Sequence, residues 1–234
     1  MIIEDKKIIL LHPGKTAGTS VESLFYDTSS HIFNPKFFFG YKNGIWTQHA
    51  TIKFMRENIP DFESYEKVLF IRNPYERLLS VYNFGTSCGK LKEFFNACGT
   101  YRPRIESFED FVTKLPKFFE YEPILDGCHL SPQHLYYEPE CMIIRFENLQ
   151  EDFKQFKNKY GISQDLPHQM ACQKKSHDLS DKSIQIINEI YDKDFNIFNY
   201  SKINDNSKNT RRTREPNVSM GLWHKIVKRI RSFF

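Results

Sequence analysis

The chain has 234 residues, 40% of them hydrophobic, with 22 Phe against 2 Trp, which suits a globular domain with an aromatic-rich core and excludes a disordered chain. Its net charge of +4 is uneven: residues 205–234 hold eight Lys/Arg against two acids, a net +6, which leaves −2 on the first 204 residues. The body is therefore near neutral, no nucleic-acid partner is expected for it, and the basic tail calls for its own explanation.

The predicted elements alternate in chain order. Lys7–His12 (KIILLH) reads as a short buried strand bounded by Pro13 and Gly14. The loop Pro13–Ser20 follows, and a helix begins at Val21 with Thr19 or Ser20 as its cap. Thr47–Ile59 has helical spacing at Ile52, Met55 and Ile59, with Pro60 as a stop. Lys67–Ile71 (KVLFI) is a second strand, broken by Arg72-Asn73-Pro74, after which Tyr75–Phe84 forms a helix with Pro74 in its first turn. Residues 85–105 read as a loop. Ser107 and Asp110 form a capping-box pattern for a helix with Phe108, Phe111, Val112 and Leu115 on its apolar face, ended by Pro116. Cys141–Phe146 is a third strand, residues 149–160 are a helix ended by Gly161, and one long helix is expected from Ser180 to Phe198. Strands separated by helices imply an α/β fold, a central parallel sheet flanked by helices, whose ligands bind beyond the carboxyl ends of the strands.

Two loops sit at that end. His12-Pro13-Gly14-Lys15-Thr16-Ala17-Gly18-Thr19-Ser20 joins a strand to a helix with small residues, hydroxyls and one lysine. Backbone N–H groups converging there suit a phosphate or sulfate. Gly14-Lys15-Thr16 matches the end of a Walker A loop, but the first glycine of that pattern would fall at Ile9, inside the strand, so the Walker spacing fails. In the second loop Arg72 ends a buried strand and Ser80 follows eight residues later on a helix, where Glu76 and Arg77 are expected to reach solvent. A guanidinium at a strand end suits a bidentate phosphate contact. Each loop alone also fits a blander reading, an ordinary helix-entry turn or an Arg–acid pair. Together they suit a ligand with two separated anionic groups.

On these residues the chain resembles the 3′-phosphoadenosine 5′-phosphosulfate (PAPS)-dependent sulfotransferases, most closely the carbohydrate sulfotransferases and their bacterial relatives. Lys15-Thr16-Ala17-Gly18-Thr19-Ser20 is similar to the family's 5′-phosphosulfate loop, and Phe70 to Pro74 with Arg77 and Ser80 to its 3′-phosphate segment. Arg145-Phe146-Glu147-Asn148-Leu149 resembles its RFENL segment, and the likeness runs over about residues 7–200. The family often places Pro directly before the loop lysine, where this chain has Gly14, and an Asn-Lys-Ser run where it has Lys174-Lys175-Ser176-His177. The resemblance implies a P-loop-like sulfotransferase fold over residues 1–200, with PAPS as co-substrate and no metal. It implies that Lys15, Thr16, Ala17, Gly18, Thr19 and Ser20 hold the 5′ side of the donor, and that Arg72 and Ser80 hold its 3′-phosphate. Lys15 doubles as a catalytic residue by taking up charge on the leaving oxygen.

His49, in Thr47-Gln48-His49-Ala50-Thr51, is the candidate catalytic base. It lies between the two loops and matches a histidine the resembling branch often has there. A surface or capping role is its alternative. His12, His129, His134, His168 and His177 read as less well placed, Glu22 as a lesser base, and Glu147 as an organiser of a strand–helix turn. Phe37 to Tyr41 reads either as acceptor cleft or as core. The expected acceptor is a glycan or glycolipid. A nucleotide-dependent phosphotransferase and a non-catalytic nucleotide-pocket protein are the competing functions.

Residues 201–220 read as a linker and 221–234 as a basic amphipathic helix, with Leu222, Trp223, Ile226, Val227, Ile230 and Phe233 on one side and Lys225, Lys228, Arg229 and Arg231 on the other. Such a helix suits an anionic membrane surface, or docking on its own domain or a partner. No signal-peptide pattern or long apolar run is seen, so a cytoplasmic location is expected, with peripheral attachment at the inner face of the membrane. Five scattered cysteines without a CxxC pair argue for reduced thiols and against a zinc site.

Overall fold

The computed structural model of the chain describes residues 1–29, 31–87, 104–121, 126–166 and 179–203. The expected linker and tail helix, Lys174 to His177, and Cys88, Cys98, Cys172 and His168 lie outside the described residues. Cys128 and Cys141 are free and buried.

Strands β1 (Ile2–Ile3) and β2 (Ile8–Leu11) open the chain, β3 (Tyr41–Lys42) and β4 (Ile45–Trp46) form a separate hairpin, and β5 (Glu66–Ile71) and β6 (Met142–Arg145) complete the main sheet. Its order is β1-β2-β5-β6. β2 pairs parallel with β5, and β5 with β6, while β1 adds an antiparallel edge. The fold is α/β around a mostly parallel sheet, as the alternation of elements predicts. The side chains of the central strands alternate between two cores. Ile9, Leu11, Leu69 and Ile71 face one, and Ile8, Leu10, Val68 and Phe70 face the other. Burial on both faces is why these strands read as unbroken apolar runs.

The helices are α1 (Gly18–Glu22), α2 (Ile52–Asn58), α3 (Pro74–Ser87), α4 (Phe108–Tyr121), α5 (Leu149–Tyr160), α6 (Asp181–Ile190) and α7 (Asp192–Ile197). α1 and α5 cover one face of the sheet through Val21, Phe153 and Phe156, and α2 covers the other through Ile52 and Met55. α3, α4, α6 and α7 share a third, aromatic-rich core.

Three expectations are corrected. Pro116 does not end α4, which runs on to Tyr121. Phe118 and Phe119 beyond it are buried. At roughly 1.5–3 kcal/mol per buried side chain, they outweigh the ~3 kcal/mol that an interior proline costs. The long terminal helix is broken at Tyr191 (φ −104°, ψ 23°). There the buried Tyr191 hydroxyl donates to Leu130 O at 3.0 Å, and the chain restarts as α7. Thr47–Ile59 is likewise not one helix. A 3₁₀ turn, Thr47–His49, is followed by extended Ala50 and Thr51 before α2 begins. Thr51 caps α2 by accepting from Phe54 N at 3.3 Å, and its own N–H donates to Asp126 Oδ1 at 2.7 Å. That interruption sets His49 apart from the helix, on a rigid turn.

Candidate active site

The parallel register Leu11↔Leu69 sets the ends of β2 and β5 side by side, so the loops leaving them emerge as neighbours. In the first loop Lys15 (φ 71°) and Ala17 (φ 72°) both adopt left-handed backbone conformations. Non-glycine residues rarely hold this conformation, and such strain persists where surrounding structure fixes it, often at functional sites. It folds the loop into a concavity of the kind whose N–H groups collect an anion. α1 begins at Gly18, three residues before the expected Val21, with Ala17 and not Thr19 or Ser20 at the cap position, and it is only five residues long, so an anion here would be held by this concavity more than by a helix dipole.

The loop is built against histidines. A Cβ at Gly18 would lie 2.1 Å from His12 Cγ, and one at Gly14 would lie 2.5 Å from His129 Cδ2. Glycine is required at both positions for these rings to seat against the backbone. The His12 and His49 ring centroids are 4.8 Å apart and those of His49 and His129 4.5 Å, both edge to face. The three imidazoles thus form a row along the loop. His129, which no motif or spacing singled out, lies against this loop.

The row is held from beneath. His12 Nε2 lies 3.0 Å from Glu22 Oε2, and Gln48 Nε2 donates to that same oxygen at 2.7 Å. Burial opposes the charge on Glu22, but His12, the Met1 ammonium 3.7 Å from Oε1, and Gln48 outweigh it and hold the carboxyl below its usual range. Committed in this way, and fully buried, Glu22 is structural and not a base. His49 Nδ1 is 3.1 Å from His12 O. A carbonyl only accepts, so Nδ1 carries the proton and Nε2 the lone pair. Burial, with His129, His12 and Lys15 nearby, pushes the His49 pKa well below the ordinary histidine value. The His49 carbonyl is anchored in turn by Tyr136 Oη at 2.8 Å and Gly127 N at 3.0 Å. A neutral, fixed imidazole with one nitrogen held as acceptor is a competent base for a hydroxyl proton.

The other loop residues differ in what they offer. Lys15 is half-buried, its Nζ 3.9 Å from the centre of the Phe84 ring. The Thr16 hydroxyl donates to Pro13 O at 2.8 Å and is fully buried, so it braces the loop and leaves only backbone for a ligand. Thr19 is exposed and its hydroxyl accepts from Gln48 Nε2 at 3.2 Å, which leaves its own O–H to donate outward. Ser20 is half-buried in α1.

Across the strand junction, the Arg72 guanidinium lies 4.0 Å from the Phe146 ring centre, with Nη1 3.5 Å from Lys15 O and Nη2 3.6 Å from Glu76. Its buried Nε has no hydrogen-bond partner among the described residues. Burial draws its pKa down against the pull of Glu76 and Glu147, yet a guanidinium stays charged in a protein. Ser80 is half-buried on α3 and makes no hydrogen bond to Arg72. Arg77, expected in solvent, is almost fully buried and donates to His129 O at 3.0 Å and Ser131 O at 2.9 Å. It thereby ties the second loop to the segment that carries His129. Glu147 accepts from Asn73 N at 2.6 Å and Tyr200 Oη at 3.0 Å, so it organises the turn after Arg72.

A clamp on Arg72 lies in a stretch that no periodicity marks. The Gln133 side chain accepts from Arg72 N and donates to Arg72 O, both at 2.8 Å, continuing the sheet ladder past Ile71 with one amide group. Asp194, from α7, accepts from the main-chain N–H of both Gln133 and His134 at 2.8 Å. The only sequence signal is a polar Gln-His pair after Pro132 in an otherwise apolar stretch.

A family model described as the sulfotransferase family matches residues 1–201, nearly all of the described chain. The chain belongs to the sulfotransferase family. Searches of curated proteins and of solved structures return no match. The loops of this sulfotransferase, at the carboxyl ends of β2 and β5, stand where an open α/β sheet takes its ligand. Phe38 and Phe39 pack in the core, while Tyr41 is exposed beside Trp46, ring centres 4.9 Å apart. Among the described residues no helix is long and apolar enough to cross a membrane, and no cluster of three His, Cys, Asp or Glu side chains is arranged to hold a metal ion.

Proposed function

We propose that this sulfotransferase uses PAPS and transfers its sulfuryl group to a hydroxyl of a carbohydrate acceptor, a glycan or glycolipid, in the manner of the carbohydrate sulfotransferases and their bacterial relatives. One observation carries the choice of donor. The buried Arg72 Nε, which has no hydrogen-bond partner among the described residues, stands beside a left-handed loop bearing Lys15. Two adjacent anion cradles fit a nucleotide with phosphate on both its 3′ and 5′ sides. In this reading Arg72 and Ser80 hold the 3′-phosphate. The backbone of Lys15 to Ser20 and the Thr19 hydroxyl hold the 5′ side.

The donor, when bound, supplies the sulfuryl group and an adenosine bisphosphate leaving group. Lys15 offsets the negative charge that collects on the leaving phosphate oxygen as its bond to sulfur breaks. His49 Nε2 takes the acceptor proton as the new sulfur–oxygen bond forms. The exposed Tyr41 and its neighbour Trp46, a few residues before His49, support a sugar acceptor, because an aromatic face suits the apolar face of a pyranose. The basic segment 221–234 completes the proposal as a peripheral attachment to an anionic membrane at its cytoplasmic side. Liposome sedimentation of the full chain with and without Lys225→Glu and Lys228→Glu tests it, and equal binding by both removes it.

Calorimetry with adenosine 3′,5′-bisphosphate tests the donor. Binding by the parent is expected, weakened about tenfold or more in Arg72→Ala, since a hydrogen bond to a charged group contributes roughly 1.5–3 kcal/mol. Absence of binding by the parent sinks the assignment. Mass spectrometry of a glycan panel after incubation with PAPS identifies the acceptor.

A further inference from the structure

His129 is the one member of the histidine row that is only half-buried, whereas His12 and His49 are almost fully enclosed. Its ring rests on the α-carbon of Gly14, at the start of the anion loop, and meets His49 edge to face at 4.5 Å. The segment beneath it is rigid. Arg77 holds the His129 and Ser131 carbonyls, Thr51 N donates to Asp126, and Gly127 N donates to His49 O. The imidazole therefore touches both the loop and His49, the two groups between which the sulfuryl group passes in the reading above.

We propose that His129 is a catalytic residue of the transfer, donating an imidazole N–H to a sulfuryl oxygen of the donor. The proposal rests on the sulfotransferase reading above. Burial, with Lys15, His12 and Arg77 nearby, pushes the His129 pKa down to about 3. The ring is then neutral at pH 7, with one N–H and one lone pair. Sulfuryl oxygens only accept, so the N–H is the useful group. His129 neither gains nor loses a proton. The acceptor proton goes to His49, the sulfur–oxygen bond to the 5′-phosphate breaks with its electron pair leaving on the phosphate, and the acceptor oxygen bonds sulfur.

The test compares two ligands that differ by the sulfuryl group, PAPS and adenosine 3′,5′-bisphosphate, by calorimetry on the full chain without acceptor. His129→Phe keeps a ring against Gly14 and His49 but lacks the N–H, and His129→Gln keeps an N–H donor. The Phe variant is expected to bind PAPS about tenfold more weakly, the size of one hydrogen bond to a charged acceptor, with affinity for the bisphosphate unchanged. The Gln variant is expected to recover most of the loss. If both ligands weaken together, His129 merely props the loop and the proposal is overturned, as it is if the PAPS affinity of the Phe variant equals the parent's. A parent that binds the bisphosphate while the Phe variant shows no selective loss defeats this proposal alone. A parent that binds neither ligand defeats the sulfotransferase reading and this proposal with it.

Discussion

Replacing Gln133 with Leu probes whether one side-chain amide positions Arg72, the proposed 3′-phosphate ligand. The substitution keeps nearly the same volume but can neither accept from Arg72 N nor donate to Arg72 O, both now bonded at 2.8 Å. Gln133 is fully buried, so water does not replace the lost partner. A buried polar group left unsatisfied costs about 1–3 kcal/mol, and two are created, which gives a loss of about 2–6 kcal/mol. For a chain of this size each 1 kcal/mol lowers the melting temperature by about 2–4 °C, so a fall of at least ~4 °C is expected. Urea denaturation should show a lower midpoint at an unchanged slope. At a temperature where the variant is folded, affinity for adenosine 3′,5′-bisphosphate should also fall, because the Arg72 backbone is no longer pinned. A Gln133→Leu protein within 1 kcal/mol of the parent, with parental affinity, refutes the reasoning.

Other outcomes follow from the same geometry. Lys15→Ala should lower turnover with PAPS by about a hundredfold, the scale of one lost electrostatic stabiliser, while bisphosphate affinity changes little; a loss confined to affinity contradicts this. His49→Ala should cut turnover by at least a hundredfold with bisphosphate affinity kept, and parental turnover would disprove the base assignment. Since the His49 pKa is depressed, the acid limb of turnover should lie well below the ordinary histidine value of 6.5, and a midpoint at or above 6.5 rules His49 out. For stability, the unfolded chain binds the extra proton first. The contribution of neutral His129 is therefore complete above pH 6.5 and is lost as pH falls from there towards about 3, amounting to about 2 kcal/mol by pH 5. The change in denaturant midpoint from pH 7 to pH 5, compared between the parent and His129→Phe, measures it, because His49 contributes to the parent's loss as well. Gly18→Ala would bring a methyl 2.1 Å from the buried His12 ring and should destabilise by about 1–3 kcal/mol; a change under 0.5 kcal/mol in urea melts would show that the ring gives way.

The strands at the centre of the fold were legible because burial on both faces writes itself as a short apolar run, as in Ile8–Leu11 and Val68–Ile71. Two-residue strands leave no such signature, so β1 and the β3–β4 hairpin were not foreseen. Helix periodicity found the apolar face of α4 but could not weigh Pro116 against the burial of Phe118 and Phe119, which is a tertiary balance. The break at Tyr191 was hidden for the same reason, since it answers to Leu130. At the site, Lys15, Arg72 and His49 were visible because their chemistry sits at strand ends or at a helix entry. Gln133, Asp194 and His129 are brought to the site by contacts with residues far away in sequence. Nothing in local spacing distinguishes an amide that closes a sheet ladder from one that faces solvent.

The link from Asp194 through Gln133 to Arg72 spans most of the sulfotransferase domain. During synthesis the support of Arg72 therefore cannot be completed until Asp194, near the end of that domain, has left the ribosome. A prematurely terminated chain would carry both loops and still lack the support that holds Arg72 at the end of its strand.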